Sequence, residues 1–286
     1  MTALSFEVFP PKSLDASFDL WETVQTLSSL APRFFSVTYG AGGSTRTLTQ
    51  DAACTLRRQS GLPVAAHLTC VDATKSEVLA TARAFADAGI TDIVALRGDP
   101  TDGGDRFAAH PLGYANSCEL IAALKDLDLF TIRVGCYPES HPDAPNPAQN
   151  IDYLKAKFDA GADEAISQFF FEAETFLRFR DACAKAGLDT SKLTPGILPV
   201  SNWAAARKFA AKCGTHVPPD LATAFDRAAR EDRADLFALV HASELCDALI
   251  AEGVENLHFY TLNRSHLPLK IAQAIGVVPA GLRNVA

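Results

Sequence analysis

A glutamate set among aromatics stands near the start of the chain, in Phe6-Glu7-Val8-Phe9, followed by Pro10-Pro11. The two prolines remove two amide donors and end a strand there. A carboxyl desolvated at a strand mouth has its charged form disfavoured, so its pKa is expected to rise. That suits a general acid near neutral pH. The competing role is a structural ion pair. Arg97-Gly98-Asp99 is a second charged cluster. It reads as a charged pair bracketing a ligand, with Gly98 letting the backbone approach closely, or equally as a rim salt bridge. His67 is either a ligand contact or a satisfied core histidine. Gln168 precedes Phe169-Phe170-Phe171 and carries both a donor and an acceptor, which suits a heteroaromatic edge. Arg264 can grip a carboxylate or phosphate with two parallel bonds. Tyr137 and His141 form another polar pair. Thr38-Tyr39-Gly40-Ala41-Gly42-Gly43 is glycine-rich but is neither GxGxxG nor a P-loop, so no dinucleotide fingerprint exists. Gathered on one rim, these groups suit a large, planar, polar-edged ligand pair.

The elements that must position them are strands. Apolar, β-branched or aromatic runs occur at Leu4–Pro11, Phe34–Gly43, Ala65–Cys70, Asp92–Pro100, Ile132–His141, Ala165–Phe171, Leu193–Asn202 and Leu257–Arg264. Each ends in a polar, charged, Gly or Pro group, and in a parallel barrel the carboxyl ends of the strands face the substrate. Four αβ joints carry Gly89, Gly161, Gly187 and Gly253 where a helix ends and the chain turns left-handed. Joints of this kind imply parallel strands with helical crossovers. Three helical stripes are expected to face the core. They are Val78-Ala82-Phe85-Ala86, after a Thr74-x-x-Glu77 capping box, Trp21-Val24-Leu27, and Leu236-Leu239-Val240-Ser243 in a long helix over 232–252. The stretch from His216 to Arg230 reads as an added helix. Asp99–Gly113 is too long for a tight turn and is a candidate lid or binding loop. The fold class is α/β, a single (β/α)8 TIM-type barrel over residues 1–286 with an extra helix inserted before the last strand.

The chain of 286 residues carries a net charge of −8, which argues against nucleic acid or an anionic membrane as partner. Its seven cysteines are scattered without metal-ligand spacing, so no metal is expected. No apolar run approaches the ~18 residues of a membrane span. MTALSFEVF lacks a basic leader region, and the expectation is a cytoplasmic protein. The chain stops soon after the last barrel helix, so no C-terminal regulatory domain is expected. A homo-oligomer built on the added helix is an open option.

The motifs SFEVFPPK, FFSVTYGAGGS, AAHLTCVDAT, DIVALRGDP, YPESHPDA, DAGADEAISQFFF, PGILPVSN and HFYTLNR run in order over nearly the whole chain. In them the chain closely resembles the methylenetetrahydrofolate reductase family. The resemblance implies a (β/α)8 barrel that holds FAD without a Rossmann fold. It implies that NAD(P)H reduces the flavin and leaves, and that 5,10-methylenetetrahydrofolate then receives the hydride to give 5-methyltetrahydrofolate. By position, Glu7 matches the family's general acid, and Asp99 an aspartate that stabilises the 5-iminium cation. Gln168, Phe209 and Arg264 match substrate-side residues. Thr38, Tyr39, Ala41, His67, Arg97, Gly98, Asp99, Ala115, Tyr137, His141, Ala144 and Lys157 match flavin-contacting positions.

The chain also departs from the family's pattern. After strand five the family often shows an acidic residue, an Asn and a basic pair near the FAD adenosine and pyrophosphate. Here those positions are Asn150, Tyr153, Ala156 and Lys157. If each lost contact is worth roughly 1 kcal/mol, FAD binds tenfold to a hundredfold or more weaker. A folate-side glutamine is Ala205, and no helical extension of the kind common ahead of SFEVFPP is expected. These departures leave two other readings beside the flavoenzyme. One is direct hydride transfer from nicotinamide to folate; the other is a non-catalytic folate- or flavin-binding barrel.

Overall fold

The computed structural model describes residues 2–39, 46–98, 107–141, 144 and 146–279. Strands and helices alternate in chain order. They run β1 (Ala3–Val8), α1 (Leu14–Ser28), β2 (Phe35–Val37), α2 (Arg46–Ser60), β3 (Val64–Thr69), α3 (Lys75–Asp87), β4 (Asp92–Leu96), α4 (Ser117–Lys125) and β5 (Thr131–Cys136). They continue with α5 (Pro147–Asp159), β6 (Glu164–Ser167), α6 (Ala173–Lys185), β7 (Leu193–Thr194), β8 (Gly196–Ile197) and α7 (Trp203–Cys213). The last are α8 (Pro219–Arg230), α9 (Ala234–Ala251), β9 (Asn256–Tyr260) and α10 (His266–Ala274). All described pairings are parallel, in the order β7-β6-β5-β4-β3-β2-β1-β9-β8. This is the expected α/β barrel, with α8 as the added helix.

The seventh predicted strand is broken in two. Pro195 separates β7, which pairs with β6, from β8, which pairs with β9. A proline has no amide hydrogen to give the ladder, so the strand changes partner there, while the Pro195 carbonyl accepts from the His258 N–H at 3.0 Å. The other strands end earlier than the apolar runs suggest. β1 stops at Val8, and the polar tips of β2, β4, β5 and β6 lie just past the last paired residue.

The sequence rules hold at the helix ends. Thr74 and Glu77 make the reciprocal capping box on α3, and Gly89 at its end has φ +78. One large hydrophobic cluster packs helices against the outside of the barrel, with Phe6, Val24, Leu27, Val78 and Phe85 in it. A small cluster of Phe34, Ala65, Val94 and Ile166 fills the barrel interior. The expected α9 stripe is wrong: Leu236 and Val240 are 59% and 43% exposed, and the helix buries Ala238, Ala242, Leu245, Cys246 and Leu249. An apolar residue on every side of α9 leaves the period ambiguous, and the small alanines win the tight contact. Among the described residues no helix is long and apolar enough to cross a membrane.

Candidate active site

Alternation along β1 and β9 turns Ser5 and Glu7, and His258 and Tyr260, to the same side, where side-chain contacts join three of them. Glu7 Oε2 lies 3.4 Å from His67 Nε2 and 4.0 Å from His258 Nε2. His258 Nδ1 is 2.8 Å from Ser5 Oγ, and its Nε2 is 3.5 Å from Ser36 Oγ. A neutral His258 satisfies these contacts when the Ser5 hydroxyl donates to Nδ1 and Nε2–H points toward Glu7. Glu7 keeps 14% of its side chain exposed, so a ligand can reach it.

The pKa of Glu7 moves opposite to the expectation from sequence. Burial does push it up, but hydrogen bonds from His258 and His67, together with their charge, outweigh that and hold it at about 2. Phe6 points out into the helix layer and Phe9 is exposed, so the carboxyl meets imidazoles instead. Burial lowers the pKa of His258, against an opposing pull from Glu7. The resting site therefore holds a carboxylate beside His258, whose neutral form burial favours and whose charged form Glu7 favours.

The remaining predicted residues surround this centre unevenly. Thr38 N–H donates to the Val8 carbonyl at 3.0 Å, and Tyr39 Oη accepts from Arg46 Nε at 3.1 Å. The Arg97 guanidinium lies 5.3 Å from the Phe107 ring centre. Tyr137 and His141 meet edge-to-face at 4.5 Å, and Ala144 N–H closes a turn onto the His141 carbonyl at 2.8 Å. Gln168 N–H donates to the Cys136 carbonyl at 2.8 Å, while its Oε1 accepts from Phe169 N–H at 3.0 Å. Phe209 is 41% exposed and stacks on Phe169 at 5.2 Å. Exposed Arg264 donates to Ser201 Oγ at 3.1 Å. Ala115 N–H is taken by Glu119 at 3.1 Å, at the start of α4. Asp99 and Ala41 lie outside the described residues.

Gly98 has φ +87, and a Cβ there would lie 2.5 Å from Val71 Cγ1. Only glycine fits, which keeps the backbone low beside Thr69, whose buried hydroxyl has no partner among the described residues. Gly98→Ala combines a left-handed alanine with a clash, a cost of about 1–3 kcal/mol. The melting temperature is expected to fall by about 2–5 °C; an unchanged melt would mean that the rim gives way freely.

The cradle for a dinucleotide is uneven. An unpartnered hydroxyl, a glycine-only backbone and the Tyr39, His67 and Arg97 side chains suit a planar ring. The phosphate side does not fit. Lys157 is buried, donates Nζ to the Gly135 carbonyl at 2.6 Å, and lies 5.0 Å from the Tyr153 ring centre. Burial brings its pKa down to about 8. Tyr153 Oη is 2.9 Å from Ser117 Oγ, and Asn150 Nδ2 donates to the Tyr137 carbonyl at 2.7 Å. Ala156 offers no polar group. Lys157 therefore does not present its ammonium on the α5 surface as the matched position implied.

Sequence reasoning missed Ser5, Ser36, His258, Tyr260 and Thr69. Ser5, Ser36 and His258 lie inside strands, and Thr69 and Tyr260 are the last residues of theirs; a polar residue every second position in Ser5-x-Glu7 and His258-x-Tyr260 was the available signal. An open groove of about 520 Å3, bounded by Phe171, His216, Pro218 and His241, holds none of the predicted site residues. Among the described residues no group of three or more His, Cys, Asp or Glu is placed to hold a metal ion.

A parallel barrel with a carboxylate–imidazole group in its mouth and an aromatic wall beside Gln168 defines an α/β-barrel enzyme with its site at the strand ends. The family model of methylenetetrahydrofolate reductase matches residues 1–276, and the chain belongs to that family. It is 43% identical over 279 residues to 5,10-methylenetetrahydrofolate reductase of Escherichia coli, covering 96% of this chain and 91% of that one. Methylenetetrahydrofolate reductase (NADH) 1 of Arabidopsis thaliana is 34% identical over 97% of this chain and 49% of its own length. The barrel also superposes, at TM-score 0.60 and 12% identity, on a protein from Clostridium thermocellum solved with 5-methyl-5,6,7,8-tetrahydrofolic acid, covering 96% of this chain and 94% of that one. The family and its relatives support methylenetetrahydrofolate reductase activity.

Proposed function

We propose that the chain, acting as one catalytic unit, interconverts 5,10-methylenetetrahydrofolate and 5-methyltetrahydrofolate with NADH or NADPH as hydride source. In the reducing direction a proton reaches N10, the bond from N10 to the bridging carbon breaks, and an N5 iminium forms. A hydride then adds to that carbon, leaving oxidised nicotinamide. The observation that carries this reading is the Glu7 carboxyl held by His67 and His258 at the barrel mouth.

Glu7 is the group that delivers the proton. Its ionised resting state means that it takes up this proton once the pterin fills the mouth and removes water from the carboxylate. Asp99 is assigned electrostatic support of the cation. Gln168 meets the edge of the pterin or nicotinamide, Phe209 stacks on the bound ring, and Arg264 faces the folate carboxylates. Thr38, Tyr39, Ala41, His67, Arg97, Gly98, Ala115, Tyr137, His141 and Ala144 are assigned to the flavin side.

FAD is the carrier that family membership implies; when bound it accepts the hydride of the nicotinamide and passes it on. Tyr153, Ala156 and the inward Lys157 favour weak FAD binding, and they keep direct transfer between nicotinamide and folate as the second reading. The purified protein is expected to hold much less than one FAD per chain by visible absorbance and extraction. Ala156→Arg restores a cation facing the phosphates, and its FAD dissociation constant by fluorescence is expected to drop about tenfold. Stoichiometric FAD that survives purification, with no response to Ala156→Arg, would show that the α5 changes are tolerated. Turnover of FAD-free protein that added FAD leaves unchanged would select direct transfer.

A further inference from the structure

Tyr260 stands where both halves of the site meet. It is the last residue of β9, in register with Glu7 on β1. Its ring packs edge-on against His258 at 5.3 Å. Its hydroxyl donates to the Ser167 carbonyl at 2.6 Å, reaching from β9 across to the end of β6. That reach spans the break in the barrel wall, where β7 follows β6 and β8 follows β9.

The peptide it grips is the one that carries Gln168. Ser167 Oγ accepts from Gly196 N–H at 2.9 Å and donates to the Gln168 carbonyl at 2.9 Å. The space for Tyr260 depends on Gly196, because a Cβ there would lie 2.1 Å from the Ser167 carbonyl oxygen and 2.6 Å from the Tyr260 ring. Among the described residues the amino group of Gln168 has no partner, which leaves that end for a ligand. On the other side, Thr261 Oγ1 donates to the Glu7 carbonyl at 2.6 Å. The last residue of β9 and the one after it thus fasten the main chain leading to Gln168 and the main chain of Glu7.

We propose that Tyr260 is a positioning residue that, through the Ser167 peptide, sets the Gln168 carboxamide relative to Glu7 and so tunes binding of the planar ligands. The inference rests on the assignment of Gln168 as a ring-edge contact. A hydrogen bond that holds a neighbouring group acts on ligand affinity, whereas a bond that only closes the barrel wall acts on the melting temperature alone.

Tyr260→Phe removes the O–H···O bond and keeps the ring on His258. The KM for folate and for nicotinamide is expected to rise roughly threefold to tenfold, with kcat changed less and its pH dependence unaltered. Equilibrium binding of 5-methyltetrahydrofolate is expected to weaken by the same factor. In a Gln168→Ala background, which itself raises KM, Tyr260→Phe is expected to add nothing further. A Tyr260→Phe enzyme with lowered melting temperature but unchanged KM and folate affinity would overturn the proposal, as would full additivity with Gln168→Ala. If Gln168→Ala alone leaves KM unchanged, the Gln168 assignment fails and the proposal falls with it. The wild-type assay separately decides the reductase reading.

Discussion

Glu7→Gln is expected to retain folate binding and lose about 10²–10⁴-fold in kcat for methylenetetrahydrofolate reduction, the range of a general acid–base group. The amide keeps the size of the carboxyl and can still accept a hydrogen bond from an imidazole N–H. It cannot carry a transferable proton. Because His67 Nε2 and His258 Nε2 lie 3.4 and 4.0 Å from the carboxyl, the variant leaves two imidazoles beside a neutral group and the fold intact. Stopped or steady-state assays with saturating folate, alongside equilibrium folate binding, separate the two effects. Equal turnover in the variant would remove Glu7 from the mechanism.

The same geometry fixes the pH dependence. Free enzyme holds Glu7 at about 2, so it is ionised throughout the neutral range. The term kcat/KM reports the free enzyme and kcat the complex. Wild-type kcat is expected to fall as pH rises, because the proton on Glu7 exists only in the filled, dewatered site. That fall is expected to vanish in Glu7→Gln. For stability the sign is different. A carboxyl whose folded pKa lies below its unfolded value stabilises the fold above the unfolded value, and the contribution fades as pH drops from about 4.5 toward about 2.

The barrel was legible because its signals are local. Thr74 and Glu77 cap α3 as a pair within one turn, and Gly89 ends it with the left-handed φ that such a joint demands. The polar strand tips around Gln168, Tyr137 and Arg97 were legible for the same reason, since an apolar run ending in a polar group needs no partner to be recognised. What was not legible depends on partners far apart in sequence. The depressed pKa of Glu7 comes from His258, which lies 251 residues away and is buried in mid-strand. The inward turn of Lys157 depends on Gly135, and the split of strand seven on which neighbour can use an amide that Pro195 lacks. On α9, composition alone could not say that Ala238 and Ala242, and not Leu236 and Val240, face the barrel.

Arg133→Met is expected to destabilise the protein by about 3–5 kcal/mol while leaving the chemistry of each folded molecule intact. Arg133 is 5% exposed and lies at the amino end of β5, opposite the site. Its Nε donates to Glu164 Oε2 at 3.0 Å, its Nη1 pairs with Asp92, and its guanidinium lies 4.1 Å from the Phe34 ring centre. Glu164 also takes Arg33 at 2.8 Å and the Thr194 hydroxyl at 2.6 Å. Asp92 and Glu164 begin β4 and β6, Arg33 precedes β2 and Arg133 lies in the first half of β5, so the network plugs the floor of the barrel, the end that serves stability rather than catalysis. Burial pushes the Glu164 carboxyl up, yet the bonds from Arg33 and Thr194 and the Arg133 charge bring its pKa below the usual range. Removing Arg133 takes one of four hydrogen bonds from that carboxylate and leaves the Asp92 carboxylate without its arginine, which is why the loss exceeds that of a surface pair. A melt at neutral pH should fall by about 5–8 °C. Since the wild type loses the Glu164 contribution as acid protonates it, the gap between the two proteins should narrow below about pH 4. A triple variant with Arg133→Met, Glu164→Leu and Asp92→Asn, which removes the buried charges together, should regain much of the loss. If Arg133→Met melts like the wild type at neutral pH, the floor network is neutral and the apolar contacts around Phe34 alone hold that end shut.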